Sequence, residues 1–493
     1  MALPDLSRLG SHLDVVRDLG RVLRRLGISL AAAAPVVSAA SAVPPAHRQP
    51  IRAFHLRKMR TPLGYAMRMF MFHDPVTEAE AREAVGDLLP ALIESGLLQK
   101  SAEGAIVSPF ILAVLDDIYI LADDLAHGEE AVMGFGETTI ALGGAAFPRR
   151  PLGRVLEIGC GSGTVAILLA RAAAKVVATD ISSRAVALAR ANAALNGVEG
   201  LDLREGDLFA PVKGETFDLI VSQPPFIPKP EGVADATFLY GGRRGDEIAI
   251  SLLRGLLAHL APGGRAVLFV EWPDVGDVPL ETRLREAVGP GANLLVLRSQ
   301  GNGLDAHAAT YAAGLHPGLG PAFEAEALLR REHFDREGIR AVIPTLTVVE
   351  RTAGAPGWTT VINTEPMSRV IFSSERLDKI IAARAVAADR ARLLGATLRV
   401  PEGTVLSQEQ VGPGAEVPST LSARFPPKAL IPQIDMTLEL LGLVTSIHEA
   451  KTVREGIEHF AEMLEMPLDK ALEQGAKAVE EALLHGLLEL EKV

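Results

Sequence analysis

The sequence predicts an α/β fold for its central part, a parallel sheet covered by helices, with a helical N-terminal region before it and an α+β region after it. Three observations carry this expectation. From Arg154 to about Glu350, short apolar strands alternate with helical stretches. Gly159, Gly161 and Gly163 stand at alternate positions directly after the first strand. Carboxylates, Asp180 and Asp207, then follow the second and third strands, the edge at which open α/β sheets bind ligands.

In chain order, Leu13, Val16, Leu19, Val22, Leu23 and Leu26 repeat at helical spacing, and Arg17, Arg21, Arg24 and Arg25 read as that helix's solvated face. The alanine-rich stretch from Leu30 to Val43 is interrupted by Pro35, too late for a signal peptide and too weak for a membrane span. Thr77 with Glu80 forms a capping box that opens a helix running toward Ser95, and Gly96 ends it. Leu97–Gln99 and Ala105–Val107 then flank Ser101-Ala-Glu-Gly104 as a short hairpin. Helix followed by hairpin is a winged-helix-like pattern, and it defines an N-terminal domain of residues 1–125.

Residues 126–350 form the expected central domain. Strands are predicted at Val155–Ile158, Val176–Thr179, Phe217–Val221 and Arg265–Val270, with helices at Ala166–Ala174 and Ser183–Asn196, the latter stopped by Gly197. In residues 351–493, a mixed segment leads to helices. There Leu468, Leu472, Val479, Leu483, Leu487 and Leu490 recur at helical spacing, as core packing or a homo-oligomer contact.

Composition limits the function classes. A chain of 493 residues with 48% apolar and 22% charged side chains exceeds one ordinary core and reads as globular. The single cysteine, Cys160, excludes an internal disulfide and a cysteine-based zinc cluster, which fits a reducing, cytoplasmic setting. No metal site and no membrane partner are expected. The formal charge of −12 opposes generic polyanion binding. Yet the first 73 residues carry eleven Lys and Arg against Asp5, Asp14 and Asp18, a local +8 that leaves −20 for the remainder.

The chemistry begins at Glu157-Ile-Gly-Cys-Gly-Ser-Gly163. Its glycines let the backbone turn tightly and approach a ligand, but a dinucleotide fingerprint needs its third glycine one place later, and position 164 is Thr. Glu157 places a carboxylate where a cationic amine could sit. Asp180 lies at the distance along the chain where an acid meets ribose hydroxyls, and Asp207 is set to accept from an adenine amine. Ser222-Gln-Pro-Pro-Phe226 follows the fourth strand; its prolines stiffen the turn and leave carbonyls for a substrate N–H. The Phe226 ring is expected to stack on a planar group. Cys160 sits inside the glycine loop with no adjoining histidine, so it is not read as a nucleophile.

Together these residues resemble the Rossmann-like class I S-adenosylmethionine-dependent methyltransferases, within them the N-methyltransferases that carry Asn-Pro-Pro-Tyr or a variant: the release-factor glutamine, adenine-N6 and ribosomal guanine-N2 enzymes. The resemblance spans roughly Gly134 to Glu350 and is strengthened by Tyr240-Gly-Gly-Arg-Arg-Gly245 and Pro262-Gly-Gly264. It implies S-adenosyl-L-methionine as cofactor, with Gly159, Gly161 and Gly163 at its methionine part, Asp180 at the ribose and Asp207 at the adenine, and with Glu157, Ile181 and Leu208 among the cofactor-binding residues. Gln223, Pro224, Pro225 and Phe226 would hold the acceptor nitrogen, Gln223 also facing the cofactor. Gln223 departs from the usual Asn, Asp or Ser, and its longer side chain must fold back to reach the same point. The expected reaction is N-methylation of an amide or amine on a protein, peptide or small metabolite. An RNA or DNA base is the alternative, disfavoured by overall acidity and only 4% aromatic residues. An O- or C-methyltransferase of small molecules, and a non-catalytic cofactor-binding protein, are further alternatives.

Overall fold

A computed structural model of the chain describes residues 3–491 except 42–44, 126–127, 234–235, 237, 277, 302, 317, 355, 367–368, 410–419 and 427–428. The end of the alanine-rich stretch, residues 42–43, therefore lies outside the described residues. The chain divides into two compact units, one comprising residues 1–296 and 301–360, the other 297–300 and 361–493.

A mostly parallel sheet organises the first unit. Its strands are β1 (Leu152–Ile158), β2 (Ala173–Asp180), β3 (Asp202–Glu205), β4 (Phe217–Ser222), β5 (Leu260–Asp274), β6 (Ala292–Ser299, of which residues 292–296 belong to this unit) and β7 (Ala341–Arg351), in the spatial order β6-β7-β5-β4-β1-β2-β3. β1 pairs in parallel with β2 and β4, as do β2 with β3 and β4 with β5. β7 is antiparallel to β5 over ten residue pairs, Arg265–Glu350 to Asp274–Ala341. The 3-2-1-4-5 half is the doubly wound arrangement, and the antiparallel β7 inserted before β6 distinguishes it from the 3-2-1-4-5-6 dinucleotide-binding sheet. The central strands are almost wholly buried: Val155, Leu156, Val177, Ile220, Val221 and Val267 are 0% exposed, as expected of strands covered on both faces.

The N-terminal region, expected as a domain of its own, shares a core with this unit. Helix α1 (Leu13–Leu26) packs Val16, Leu19 and Leu23 in one cluster with Leu188, Ala191 and Leu195 of the helix after β2. The capping box of Thr77 and Glu80 is present, but the expected long helix is broken. It runs Glu78–Val85 and Leu89–Glu94, separated at Gly86, whose φ of 62° lies in the left-handed region. The hairpin follows as Gln99–Lys100 paired with Ile106–Val107. A second hairpin, Ile111–Leu115 with Ile118–Ala122, was not foreseen.

Around the sheet, α2 (Glu137–Ala146) precedes β1, α3 (Thr164–Leu169) follows it and α4 (Ser183–Leu195) follows β2. The helix read as Ala166–Ala174 is shorter because Ala173 and Ala174 begin β2: alanine suits either state, and sheet pairing decides. Two asparagines of and beside α4 clasp the second hairpin. Asn192 Nδ2 donates to the Leu121 and Ser162 carbonyls at 2.9 Å while Oδ1 accepts from Leu121 N–H at 2.8 Å. Asn196 exchanges two bonds with the Tyr119 backbone. Arg24 is exposed, as expected of a solvated face, and from there reaches the Leu195 carbonyl and Asn196 at 3.4 Å and lies over the Tyr119 ring.

The second unit contains helices Ser374–Ala387, Arg390–Gly395, Leu438–Glu449, Val453–Met463 and Leu468–Leu484 and a three-stranded antiparallel sheet formed by Val405–Glu409, Thr420–Arg424 and Gln433–Met436. Of the expected leucine series, Leu487 and Leu490 lie beyond the last helix, Leu490 in a strand paired with Leu398. Leu443, Ile457, Val479 and Leu483 build this unit's core. Among the described residues no single helix is long and apolar enough to cross a membrane.

Candidate functional site

The site is assembled at the carboxyl ends of β1, β2, β3 and β4. After β1 the chain turns through Gly159, Gly161 and Gly163 with φ of 73°, 51° and 79°, a sequence of left-handed conformations that side-chain-bearing residues rarely adopt. The loop hangs on β2, since the N–H groups of Gly159 and Cys160 both donate to the Thr179 carbonyl, at 2.8 and 3.0 Å. A β-carbon on Gly159 or Gly161 would meet nothing within 4 Å, so the glycines leave room on the ligand side. One on Gly163 would come 2.9 Å from Ala189 Cβ, so here glycine permits close packing of α3 on α4.

Two carboxylates flank this loop. Glu157 is 5% exposed, its Oε2 accepts from the Ala166 N–H at 2.7 Å, and burial pushes its pKa up to about 8, with the Asp180 charge adding to the rise. Asp180 accepts from the N–H groups of Gly161 and Ser182 at 2.8 and 2.9 Å, yet burial outweighs these bonds and raises its pKa. Each carboxylate oxygen has a second lone-pair direction, so these contacts do not exhaust Asp180 as an acceptor. Burial pushes the Cys160 thiol up as well, followed by the neighbouring Glu157 and Asp180 charges, which makes it inert as a thiolate.

A cavity of about 780 Å³ joins these groups. Glu157, Gly159, Gly161, Asp180, Ile181, Asp207, Leu208, Gln223, Pro224 and Pro225 all line it. Its volume is in the range of small-molecule sites. Ile181 is 57% exposed within it, an apolar face open to a planar group. Leu208 has φ of 43°, a left-handed conformation unfavourable for leucine and of the kind that collects at ligand sites. Of the sequence-selected positions, Gly163 supports the loop from behind.

Phe226 is placed differently from expectation. It is 9% exposed, packs edge-on against Phe269 of β5 with centroids 6.0 Å apart, and does not line the cavity. The apolar side chain completes the core beneath Pro225 instead of facing a ligand. Phe238 and Tyr240 supply the aromatic walls. Tyr240 is braced from behind by Arg330, 1% exposed, whose Nη2 donates to the Tyr240 hydroxyl at 2.8 Å and pairs with Glu326. Gly241 allows the loop to close on the Pro-Pro turn: a β-carbon there would lie 2.5 Å from the Pro225 carbonyl oxygen.

Gln223 is held by residues the sequence reading missed. Its Nε2 donates to Thr138 Oγ1 at 2.7 Å, and Thr139 Oγ1 donates to its Oε1 at 3.2 Å. Both threonines lie in the first turn of α2. Only their place directly before the first strand hinted at this, because nothing in the spacing links positions 85 residues apart. Lys229 also lines the cavity beside Tyr240.

Residues 144–240 match the family model described as the methyltransferase small domain. The chain is 38% identical over 131 residues to a ribosomal RNA small subunit methyltransferase C of Escherichia coli, a match covering 25% of this chain and 34% of that protein. The chain thus spans about a third of the length of the curated relatives it matches. Similar solved structures include an rRNA methylase from Streptococcus thermophilus, 13% identical with a TM-score of 0.28, covering 45% of this chain and 99% of that one. Another is an N-methyltransferase from Bradyrhizobium japonicum in complex with S-adenosyl-L-homocysteine, 18% identical with a TM-score of 0.25, covering 41% and 79%.

Proposed function

We propose that this chain, which carries a class I S-adenosylmethionine-dependent methyltransferase domain, methylates a nitrogen of an RNA base. The observation that carries the reading is the single cavity that joins the glycine loop, Asp180 and Asp207 to Gln223-Pro224-Pro225, so that a cofactor side and an acceptor side share one space.

The residues present fit the cofactor. The open side of Gly159 and Gly161 would take the methionine part, with Glu157 facing its amine. Asp180 would hold the ribose, and Asp207 with Ile181 and Leu208 the adenine. When bound, S-adenosylmethionine supplies a methyl group already activated by its sulfonium. The protein's own task is then alignment, which contributes on the order of 7–11 kcal/mol when two reactants are held in register. Gln223, oriented by Thr138 and Thr139, and the Pro224 carbonyl would accept the nitrogen's hydrogens and turn its lone pair toward the methyl group. Phe238 and Tyr240 would flank the planar base.

RNA is preferred over the peptide or small-metabolite acceptor that overall acidity favours. The relative that is 38% identical in this region is named for ribosomal RNA, and the negative charge is not shared by the N-terminal region, so the acidity of the whole chain does not describe its surface there. The test is incubation of the purified chain with isotopically methyl-labelled cofactor and, in parallel, protein-free ribosomal RNA or ribosomal protein. Nucleoside digestion and mass spectrometry should find the label on a base nitrogen. Label confined to protein would return the acceptor to an amide.

A further inference from the structure

We infer that the exposed face of the helix Pro45–Lys58 and the turn after it is a single-stranded RNA-binding surface, a reading that rests on RNA being the acceptor. The first observation is charge. From Leu19 to His73 there is no Asp or Glu, while nine Lys and Arg occur. A merely solvated helix face normally mixes both signs.

The structure separates those cations by role. Arg21 pairs with Asp18, and Arg24 is engaged with the Leu195 carbonyl and Asn196. Arg68 is buried against Asp74, with a 2.6 Å contact. Asp74 is also met by Arg57 at 2.5 Å, while Arg68 reaches Glu80 as well at 3.4 Å, so these two guanidiniums are balanced by two carboxylates, though the Arg57 side chain remains 62% exposed. Lys58, at the helix end, and Arg60, in the turn after it, are both exposed.

The second observation is an aromatic ring in the middle of this field. Phe54 is 58% exposed, one turn before Arg57 and Lys58, and the Lys58 ammonium lies 4.1 Å from its centroid. The His55 ring meets it edge-on at 5.7 Å. An exposed aromatic alone means little. A ring held beside Lys58, with exposed Arg60 two residues further on, combines the two contacts by which proteins hold single strands, stacking on a base and neutralising the adjoining phosphates. The helix's apolar side is already used, Leu56 being 0% exposed in the core, so no broad apolar face is left for a lipid surface.

The experiment measures binding of the full chain to a fluorescein-labelled, random-sequence single-stranded RNA by anisotropy across a salt series, with phosphatidylserine vesicles as the competing polyanion. The double variant Lys58→Gln/Arg60→Gln should weaken binding tenfold or more and lower the slope of log affinity against log salt by about 1.4, roughly 0.7 per phosphate contact on a single strand. Phe54→Ala should weaken binding about fivefold or more with the slope unchanged, the mark of lost stacking. Thermal unfolding and affinity for S-adenosylhomocysteine should match the parent chain. If RNA is methylated but both variants bind it with unchanged affinity and slope, this surface is wrong and the acceptor reading stands. If the parent chain neither binds nor methylates RNA, both fall. Preference for the vesicles over RNA at equal salt also overturns the inference.

Discussion

The side-chain amide of Gln223 donates a 2.7 Å hydrogen bond to the hydroxyl of Thr138, so a helix 85 residues upstream orients the residue that begins the Pro-Pro turn. Thr138→Val should lower kcat about tenfold, the equivalent of one neutral hydrogen bond, and Thr138→Ser should restore it. Gln223→Ala should cost about 10²–10³ in kcat. Gln223→Asn should behave nearly as badly, because the shorter chain cannot reach Thr138. Calorimetric affinity for S-adenosylhomocysteine should stay constant throughout. Full turnover by Gln223→Ala would remove its nitrogen-orienting role.

Asp180 combines a ligand-facing position with two backbone hydrogen bonds. Asp180→Ala should weaken cofactor binding by about 1–3 kcal/mol and also lower the melting temperature, since the Gly161 and Ser182 N–H groups lose their acceptor. Asp180→Asn keeps one acceptor oxygen and should recover part of the stability with little of the affinity. Titration with NAD should give no heat, because the third glycine lies at position 163 rather than one place later.

Glu157 makes stability depend on pH. Its pKa of about 8 in the folded chain stands above its ordinary value of 4.5, so the folded state holds a proton that the unfolded chain releases. The contribution is fully present below the ordinary value and is lost as pH rises toward about 8. Urea midpoints measured across this window should fall less steeply for Glu157→Gln than for the parent chain. Equal slopes would contradict a protonated Glu157.

Phe226 and Tyr240 should separate stability from acceptor binding. Phe226→Ala removes a core ring and should cost about 3 kcal/mol of stability. Tyr240→Phe breaks the contact with buried Arg330 and should raise KM for the acceptor while costing about 1 kcal/mol of stability, less than Phe226→Ala. Denaturant unfolding and steady-state kinetics distinguish the two.

Asn192, 0% exposed, joins three backbone groups of the second hairpin and the glycine loop. Asn192→Leu leaves all three without their partner and should destabilise the first unit by about 3 kcal/mol. An unchanged denaturation midpoint would mean the hairpin docks by apolar packing alone.

The sequence alone determined what depends on local order along the chain. Strand β1, the alternating glycines, Asp180, Asp207 and the Pro-Pro turn were legible because backbone conformation and strand-end position are written in neighbouring residues. The capping box of Thr77 and Glu80 and the stop at Gly197 are legible for the same reason. Tertiary structure decided what depends on contacts between distant segments. It broke the helix at Gly86 and moved Ala173–Ala174 into β2, where pairing with β1 overrides a weak local preference. It tied exposed Arg24 to the Leu195 carbonyl and packed α1 into one core with α4. It buried Phe226 against Phe269 and brought Phe238, Tyr240, Thr138 and Thr139 to the site. No spacing rule encodes these last contacts: side-chain direction at a sheet edge is set by which surface remains to be covered, and that is known only once the sheet has formed.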